Sequence, residues 1–317
     1  MNIVGGPDPC SRRAAEGRTV DVVTRKVVEP GEGALYRPAG CAEAPEVGVI
    51  VLAGSSGRIE GERARLFAEQ GMSALTFRWF GGPGQPEHPC EVPLETFTAA
   101  IDVLRAEGAR RIGMVGVSKG AEASLLTAVR DARVDVVVAL SPTAYVWCWS
   151  VAGKTPPRSS WTWQGVPLPF VPTDDAWPSE HRHLEPPVAI RDWYERSEHL
   201  YPAYYAAAAI PVEQTRAELV LVAGGDDQMW PSLPFAQKLV ERRRTPGGVG
   251  TGAPVHLVTR PDAGHRPRFP GESPAPPETT FAYGGTPEAD ARLGAEAWPV
   301  ILEALRGDAG GSGMRGA

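Results

Sequence analysis

The chain has 317 residues and a formal net charge of −6, enough length for one large α/β domain or two small ones and no broad basic field for nucleic acid or an anionic membrane surface. No apolar run approaches the roughly 20 residues that span a bilayer, and Met1 to Gly17 carries Arg12 and Arg13 but no apolar core, so a secretory signal is not expected. Cys10, Cys41, Cys90 and Cys148 are scattered without CxxC or Cys/His spacing, so no metal, cofactor or disulfide framework is expected and a cytoplasmic location is the default.

Residues 1–18 lack periodicity and are expected to be flexible. Thr19 to Val28 is rich in β-formers, and Gly31 to Arg37 reads as its hairpin partner at an antiparallel edge. Val47 to Ala53 (VGVIVLA) is an unbroken apolar run, as expected of a strand buried on both faces, and it ends in Gly54-Ser55-Ser56-Gly57. A helix over 59–70, a strand over 72–79 and a Gly/Pro loop over 81–93 follow. Leu94 to Glu107 then places Phe97, Ile101 and Leu104 on one helical face. The apolar run Ile112–Val117 leads into helix formers as far as Arg130, and VDVVVAL (134–140) is another buried strand. Further on come a strand over 219–223, a helix over 235–243, a last strand over 255–260 and a closing helix over 289–305. This alternation predicts an α/β fold with a mostly parallel central sheet flanked by helices over 19–306, with a Gly-rich tail, 307–317, expected to be disordered. Ser141 to Ala209 interrupts the pattern with six tryptophans and many prolines. Placed after a sheet strand, it reads as a cap over the carboxyl ends of the strands. Any single tryptophan there is expected to pack the cap onto the body. Together, Trp147, Trp161 and Trp163, with Trp230, are expected to line an apolar, acyl-sized slot.

The chemistry centres on Gly116-Val-Ser118-Lys119-Gly120, a G-x-S-x-G run between a strand and a helix, the context of a nucleophile elbow. A serine hydroxyl needs a base within hydrogen-bond reach and an acid to orient that base. His265 follows the last strand and is therefore expected at the same sheet edge as Ser118. His256 lies inside that strand, where a structural role is expected, and His181, His183 and His199 fall in the cap. The acid follows the strand over 219–223, where Asp226 and Asp227 compete. Asp227 is the choice, one step deeper into the turn, while Asp226 suits a cap or turn role. The oxyanion formed on attack needs preset donors: the Lys119 backbone amide is one, and the loop 54–57 offers the other, Ser55 first and Ser56 in reserve. The Lys119 side chain is expected to pair with Glu122 at i,i+3, worth tenths of a kcal/mol. Arg58, Arg63, Arg78, Arg266 and Arg268 stand near the expected mouth, where they read either as solvated arginines or as partners for phosphate.

Gly116-Val-Ser-Lys-Gly-Ala-Glu, Ser160-Trp-Thr-Trp-Gln-Gly-Val-Pro-Leu-Pro-Phe, Gly225-Asp-Asp-Gln-Met-Trp-Pro-Ser, Ala263-Gly-His and Tyr283-Gly-Gly-Thr-Pro-Glu-Ala-Asp-Ala stand in one order along the chain. They resemble the C-terminal catalytic domain shared by acyl-CoA thioesterases and bile acid-CoA:amino acid N-acyltransferases, a branch of the α/β-hydrolases near the dienelactone hydrolases. The resemblance covers about 47–305 and implies a triad of Ser118, Asp227 and His265. It also implies an acyl substrate carried on CoA or a carrier protein. The animal members carry a β-sandwich domain ahead of this one, for which 45 residues are too few. Members of the acyltransferase type tend to use cysteine as nucleophile, so serine at 118 leans towards hydrolysis. Thioester hydrolysis is therefore the leading expectation. Ester or lactone cleavage and acyl transfer share its first half-reaction, and a silent ligand-binding protein would have no use for an intact Ser, Asp and His.

Overall fold

The computed structural model describes residues 21–40, 44–149, 157–181, 183–250, 252–274, 276 and 279–307. The expectations for 1–18 and for 308–317 fall outside these residues, as do Cys10 and Cys41.

Eight strands form one sheet: β1 (Val22–Val27), β2 (Gly33–Pro38), β3 (Val47–Leu52), β4 (Ser73–Phe77), β5 (Arg111–Val117), β6 (Val136–Leu140), β7 (Glu218–Gly224) and β8 (Val255–Arg260). Their spatial order is β1-β2-β4-β3-β5-β6-β7-β8. β2 runs antiparallel to both β1 and β4, and every later pairing is parallel. The helices longer than one turn are α1 (Gly61–Glu69), α2 (Glu95–Ala106), α3 (Lys119–Arg130), α4 (Arg191–Leu200), α5 (Ser232–Arg243) and α6 (Pro287–Arg306).

Side-chain alternation along the strands sorts these helices into two layers. Ile50, Leu52, Ile112, Met114, Leu219 and Leu221 meet Phe97 and Ile101 of α2, Leu125 of α3 and Phe235 and Leu239 of α5. Val49, Val51, Val115, Val138, Val220 and Val222 face the other way, onto Phe67 of α1 and Leu293, Ile301 and Leu305 of α6. Apolar residues at both parities explain the unbroken runs in the sequence: β3 to β7 are covered on both faces.

Among the described residues of 141–209, Trp147 and Trp161 pack into the core rather than around a slot. Trp161 and Thr162 pair in parallel with Val92 and Pro93, while Thr162 and Trp163 pair with Pro167 and Val166. The ring of Trp161 lies 5.3 Å from Trp79 and 5.9 Å from Phe97, and Trp147 lies 4.7 Å from Tyr194. Both Trp147 and Trp161 are fully buried in the first of the two cores. Among the described residues, these aromatics fasten the segment to the α2–α3–α5 layer.

Candidate active site

Ser118 joins β5 to α3 with φ 57° and ψ −120°, a backbone conformation that an L-residue keeps only under constraint. A Cβ on Gly116 would lie 2.1 Å from the Gly120 carbonyl oxygen, and one on Gly120 would lie 2.5 Å from that of Ala53. Only glycine lets strand and helix cross this closely. The Ser118 amide donates to the Leu140 carbonyl at 2.9 Å, and its carbonyl accepts from the amides of Ala121 and Glu122 at 2.9 and 3.1 Å. The residue is fixed from both sides, with its side chain on the wall of a cavity of about 730 Å³. The Lys119 amide opens α3, where no intrahelical acceptor exists and the helix end is electropositive.

His265 lines the same cavity. Its amide donates to the Tyr283 carbonyl at 2.9 Å, and its carbonyl accepts from Ser141 Oγ at 2.9 Å. Trp230 meets the imidazole edge-on at 5.7 Å, and Tyr283 stacks on it at 5.7 Å and 27°. The ring Nδ1–H donates to Asp227 Oδ2 at 2.7 Å. Asp227 is fully buried, and its Oδ1 accepts from the amides of Met229 at 2.9 Å and Trp230 at 3.3 Å. With Nδ1 committed to the carboxylate, Nε2 is the nitrogen left to act as a base. Asp226 is turned away: it accepts from the Gly285 amide at 2.8 Å and the Gln228 side chain at 2.7 Å. It joins the acid-bearing loop to the 283–285 turn and does not touch the imidazole.

Gly54, Ser55 and Ser56 line the cavity with Ser118, and a Cβ on Gly54 would lie 3.1 Å from that of Ser118. Arg58, Arg63, Arg266 and Arg268 also line it, and Arg78 does not. Arg63 is committed to Glu272 at 2.5 Å and lies over the Phe269 ring, while Arg268 donates to the Glu272 carbonyl at 3.1 Å. Arg58 is the most exposed of the four whose exposure bears on binding, 54% open, with Glu60 3.3 Å away. The cavity's far wall is the chain after β8, with Pro267, Pro274, Phe281 and Tyr283, joined by Pro187 and Met229.

None of the four tryptophans expected to contact substrate lines this cavity. Trp147 and Trp161 are core residues, and Trp163 lies under the Arg130 guanidinium at 6.0 Å. Trp230 supports His265 and donates its indole N–H to the Ser141 carbonyl at 3.1 Å. The Lys119–Glu122 pair forms at 2.9 Å, with side chains 4% and 0% exposed. The pair expected from the i,i+3 spacing is thus formed, but in a buried setting. Lys119 Nζ also donates to Ser160 Oγ at 2.8 Å, and Glu122 accepts from the Trp161 indole at 2.7 Å and the Trp147 amide at 3.1 Å. Burial pushes the Glu122 carboxyl up, against the pull of Lys119. His256 pairs with Glu218 at 2.9 Å across β7 and β8, as a structural histidine would.

Three residues to which the sequence alone gives no role at the site stand around His265 and its loop. Ser141 is fully buried at the end of β6 with φ 47°, and it links His265 to Trp230. Tyr283 supplies a carbonyl and a ring, and Asp290 holds the neighbouring Gly264 amide at 2.7 Å. A non-glycine residue with positive φ is visible only in a structure, and the contacts of Tyr283 and Asp290 lie far along the chain. Among the described residues no group of three or more His, Cys, Asp or Glu could hold a metal ion, and no helix is long and apolar enough to cross a membrane.

The family described as BAAT / Acyl-CoA thioester hydrolase C terminal matches residues 92–308. The acyl-coenzyme A amino acid N-acyltransferase 2 of Rattus norvegicus is 25% identical over 302 residues, covering 90% of this chain and 65% of that protein. The acyl-coenzyme A thioesterase 6 of Homo sapiens is 26% identical over 283 residues, covering 86% and 62%. The chain thus spans under two thirds of the length of these relatives. A solved structure from Klebsiella pneumoniae described as a dienelactone hydrolase superposes with a TM-score of 0.53 at 16% identity, over 91% of this chain and 99% of that one. An esterase of Pyrococcus furiosus gives 0.52 at 14%, over 96% of each. At such identities the likeness speaks for the α/β-hydrolase fold alone.

Proposed function

The chain belongs to the BAAT / acyl-CoA thioester hydrolase C-terminal family, a group of α/β-hydrolase enzymes that work on acyl thioesters, and from that premise we propose that it is a serine acyl-thioester hydrolase. The observation that carries this reading is the His265–Asp227 contact of 2.7 Å on a cavity wall shared with a strained Ser118. His265 Nε2 removes the Ser118 proton as Oγ attacks the thioester carbonyl. The oxyanion is received by the Lys119 amide and the Ser55 loop, with Ser56 in reserve. The C–S bond then breaks, and the thiol leaves with the proton from His265. A water molecule, deprotonated by the same nitrogen, attacks the acyl-serine, and collapse returns the proton to Ser118 and releases the acid. The named relatives support an acyl group carried on CoA, and a carrier-protein thioester would present the same reacting atoms.

Acyl transfer to an amine is the second reading, because an amino acid N-acyltransferase and a thioesterase are similar to the chain at nearly equal identity. A hydroxyl nucleophile on a wide cavity with charged walls favours water as the acceptor. The test is acyl-CoA turnover with and without amino-acid acceptors, beside labelling by a fluorophosphonate. We expect free acid in both conditions and label on Ser118. Thiol release by Ser118→Ala at the wild-type rate would overturn the reading.

A further inference from the structure

Resting on that reading, we propose that Asp290 is a positioning residue for His265: its ionised carboxylate, on the last helix, holds the Gly264 amide and so sets where the imidazole stands against Ser118. Asp290 lies in the first turn of α6, which Thr286 caps by accepting the Ala289 amide at 3.1 Å. It grips the histidine loop on both sides. Its Oδ1 accepts from the Gly264 amide at 2.7 Å, and its backbone carbonyl accepts from the Arg268 amide at 3.1 Å. The loop has no slack in which to find another place. A Cβ on Gly264 would lie 2.2 Å from the Gly284 carbonyl oxygen, and the His265 amide is held by Tyr283. Asp290 is 9% exposed and is among the residues lining the cavity. A helix end and a catalytic loop are thus joined through one charged acceptor.

That acceptor ionises above the ordinary carboxylate range. Burial above all pushes the Asp290 carboxyl up to about 6. The Gly264 amide opposes the shift, Asp227 on the loop after β7 adds to it, and His265 and Arg266 on the loop after β8 resist it. Glu288 stands on its own helix, and Glu62, Arg63 and Glu272 line the same cavity. Above pH 6 the Gly264 N–H meets a carboxylate, and hydrogen bonds to ionised acceptors are roughly twice as strong as neutral ones. Below pH 6 that grip weakens and the imidazole is held less firmly against Ser118, so activity should fall with a proton uptake at Asp290.

The experiment measures the pH dependence of Ser118 labelling by a fluorophosphonate and of thioester turnover, for wild type, Asp290→Asn and Asp290→Ala. Two proton uptakes are expected on the acid limb of the wild type and one in Asp290→Asn. At pH 8 Asp290→Ala should lose roughly tenfold to a hundredfold in kcat, the scale of a small misplacement of a reacting group, with KM within about twofold. Identical acid limbs for wild type and Asp290→Asn would overturn the proposal, and this comparison decides the matter should Asp290→Ala fail to fold. If wild type takes no label at all, the hydrolase reading falls first. Amide hydrogen exchange then carries the test: faster exchange at Gly264 and His265 in Asp290→Ala supports the grip, and unchanged exchange refutes it.

Discussion

Ser118 is held at φ 57°, where a β-carbon costs of order 1–3 kcal/mol. Removing the hydroxyl alone keeps that cost, and removing the β-carbon relieves it. Ser118→Ala and Ser118→Gly should therefore both lose thioester turnover by at least about 10³-fold, yet the glycine variant should withstand more denaturant, by about 1 kcal/mol. Paired urea melts and rate assays separate strain from chemistry here. The two aspartates divide in the same way. Asp227→Asn should lower kcat by about 10⁴, since an amide no longer fixes the imidazole tautomer. Asp226→Asn keeps an acceptor for the Gly285 amide and should leave kcat within a few-fold. Similar losses from both would show that the imidazole is not oriented by Asp227. Asp290 adds a stability signature. Its folded-state pKa is raised, so the folded chain holds a proton that the unfolded chain has released between about pH 4 and pH 6. Stability is thus greatest below the ordinary carboxylate range and declines as pH rises to about 6. Asp290→Asn, which cannot ionise, should be more stable than wild type at pH 8 by roughly 1–3 kcal/mol, and the two should converge below pH 4. Melting curves at pH 4 and pH 8 check the sign: a site that costs stability when charged is what a functional constraint would leave behind.

At the scale of elements, α3 does two things at once. Its N-terminus presents Ser118, and its first two turns bury the Lys119–Glu122 pair against Trp147, Ser160 and Trp161. The i,i+3 spacing was readable from the sequence, as was the partner. The burial was not, because the residues that seal the pair lie 25 to 41 positions away. That difference changes the energy by an order of magnitude. Lys119→Met leaves a buried carboxylate without its cation and should destabilise the fold by about 3–5 kcal/mol. A double variant that also replaces Glu122 with Gln should recover part of the loss. A double-mutant cycle in denaturant measures the coupling, and additive losses would refute the pairing. The same cause explains the tryptophans. Composition marked 141–209 as aromatic, but whether an indole packs or lines depends on what stands opposite. Trp79, Phe97 and Phe235 stand opposite Trp161 and Trp147.

Across the whole molecule, the strand and helix order could be read because each buried strand leaves an apolar run and each glycine-bounded turn leaves a mark. The Ser118, Asp227 and His265 positions could be read because all three follow strands that end at one sheet edge. The cavity could not: its far wall is the irregular chain after β8, which has no periodicity to read. This wall bears on substrate. The chain is acidic overall, so a polyanionic CoA gains nothing from the global field, which is screened beyond about 8 Å at physiological salt. If CoA carries the acyl group, recognition of its phosphates falls to cations at the cavity itself. Arg63 is committed to Glu272, and Arg268 supports the same loop. Arg58 is exposed at the mouth beside Glu60, so it can be changed without disturbing the core. An exposed ion pair is worth up to about 1 kcal/mol. Arg58→Gln should therefore raise KM for an acyl-CoA up to about fivefold and leave kcat unchanged. The corresponding acyl-pantetheine, which lacks the nucleotide phosphates, should be hydrolysed by wild type and variant with equal KM. An equal rise for both thioesters would place Arg58 on the acyl side, and no rise for either would remove it from binding. Added salt should shrink the difference for the CoA substrate, as expected of a contact made at a solvated rim.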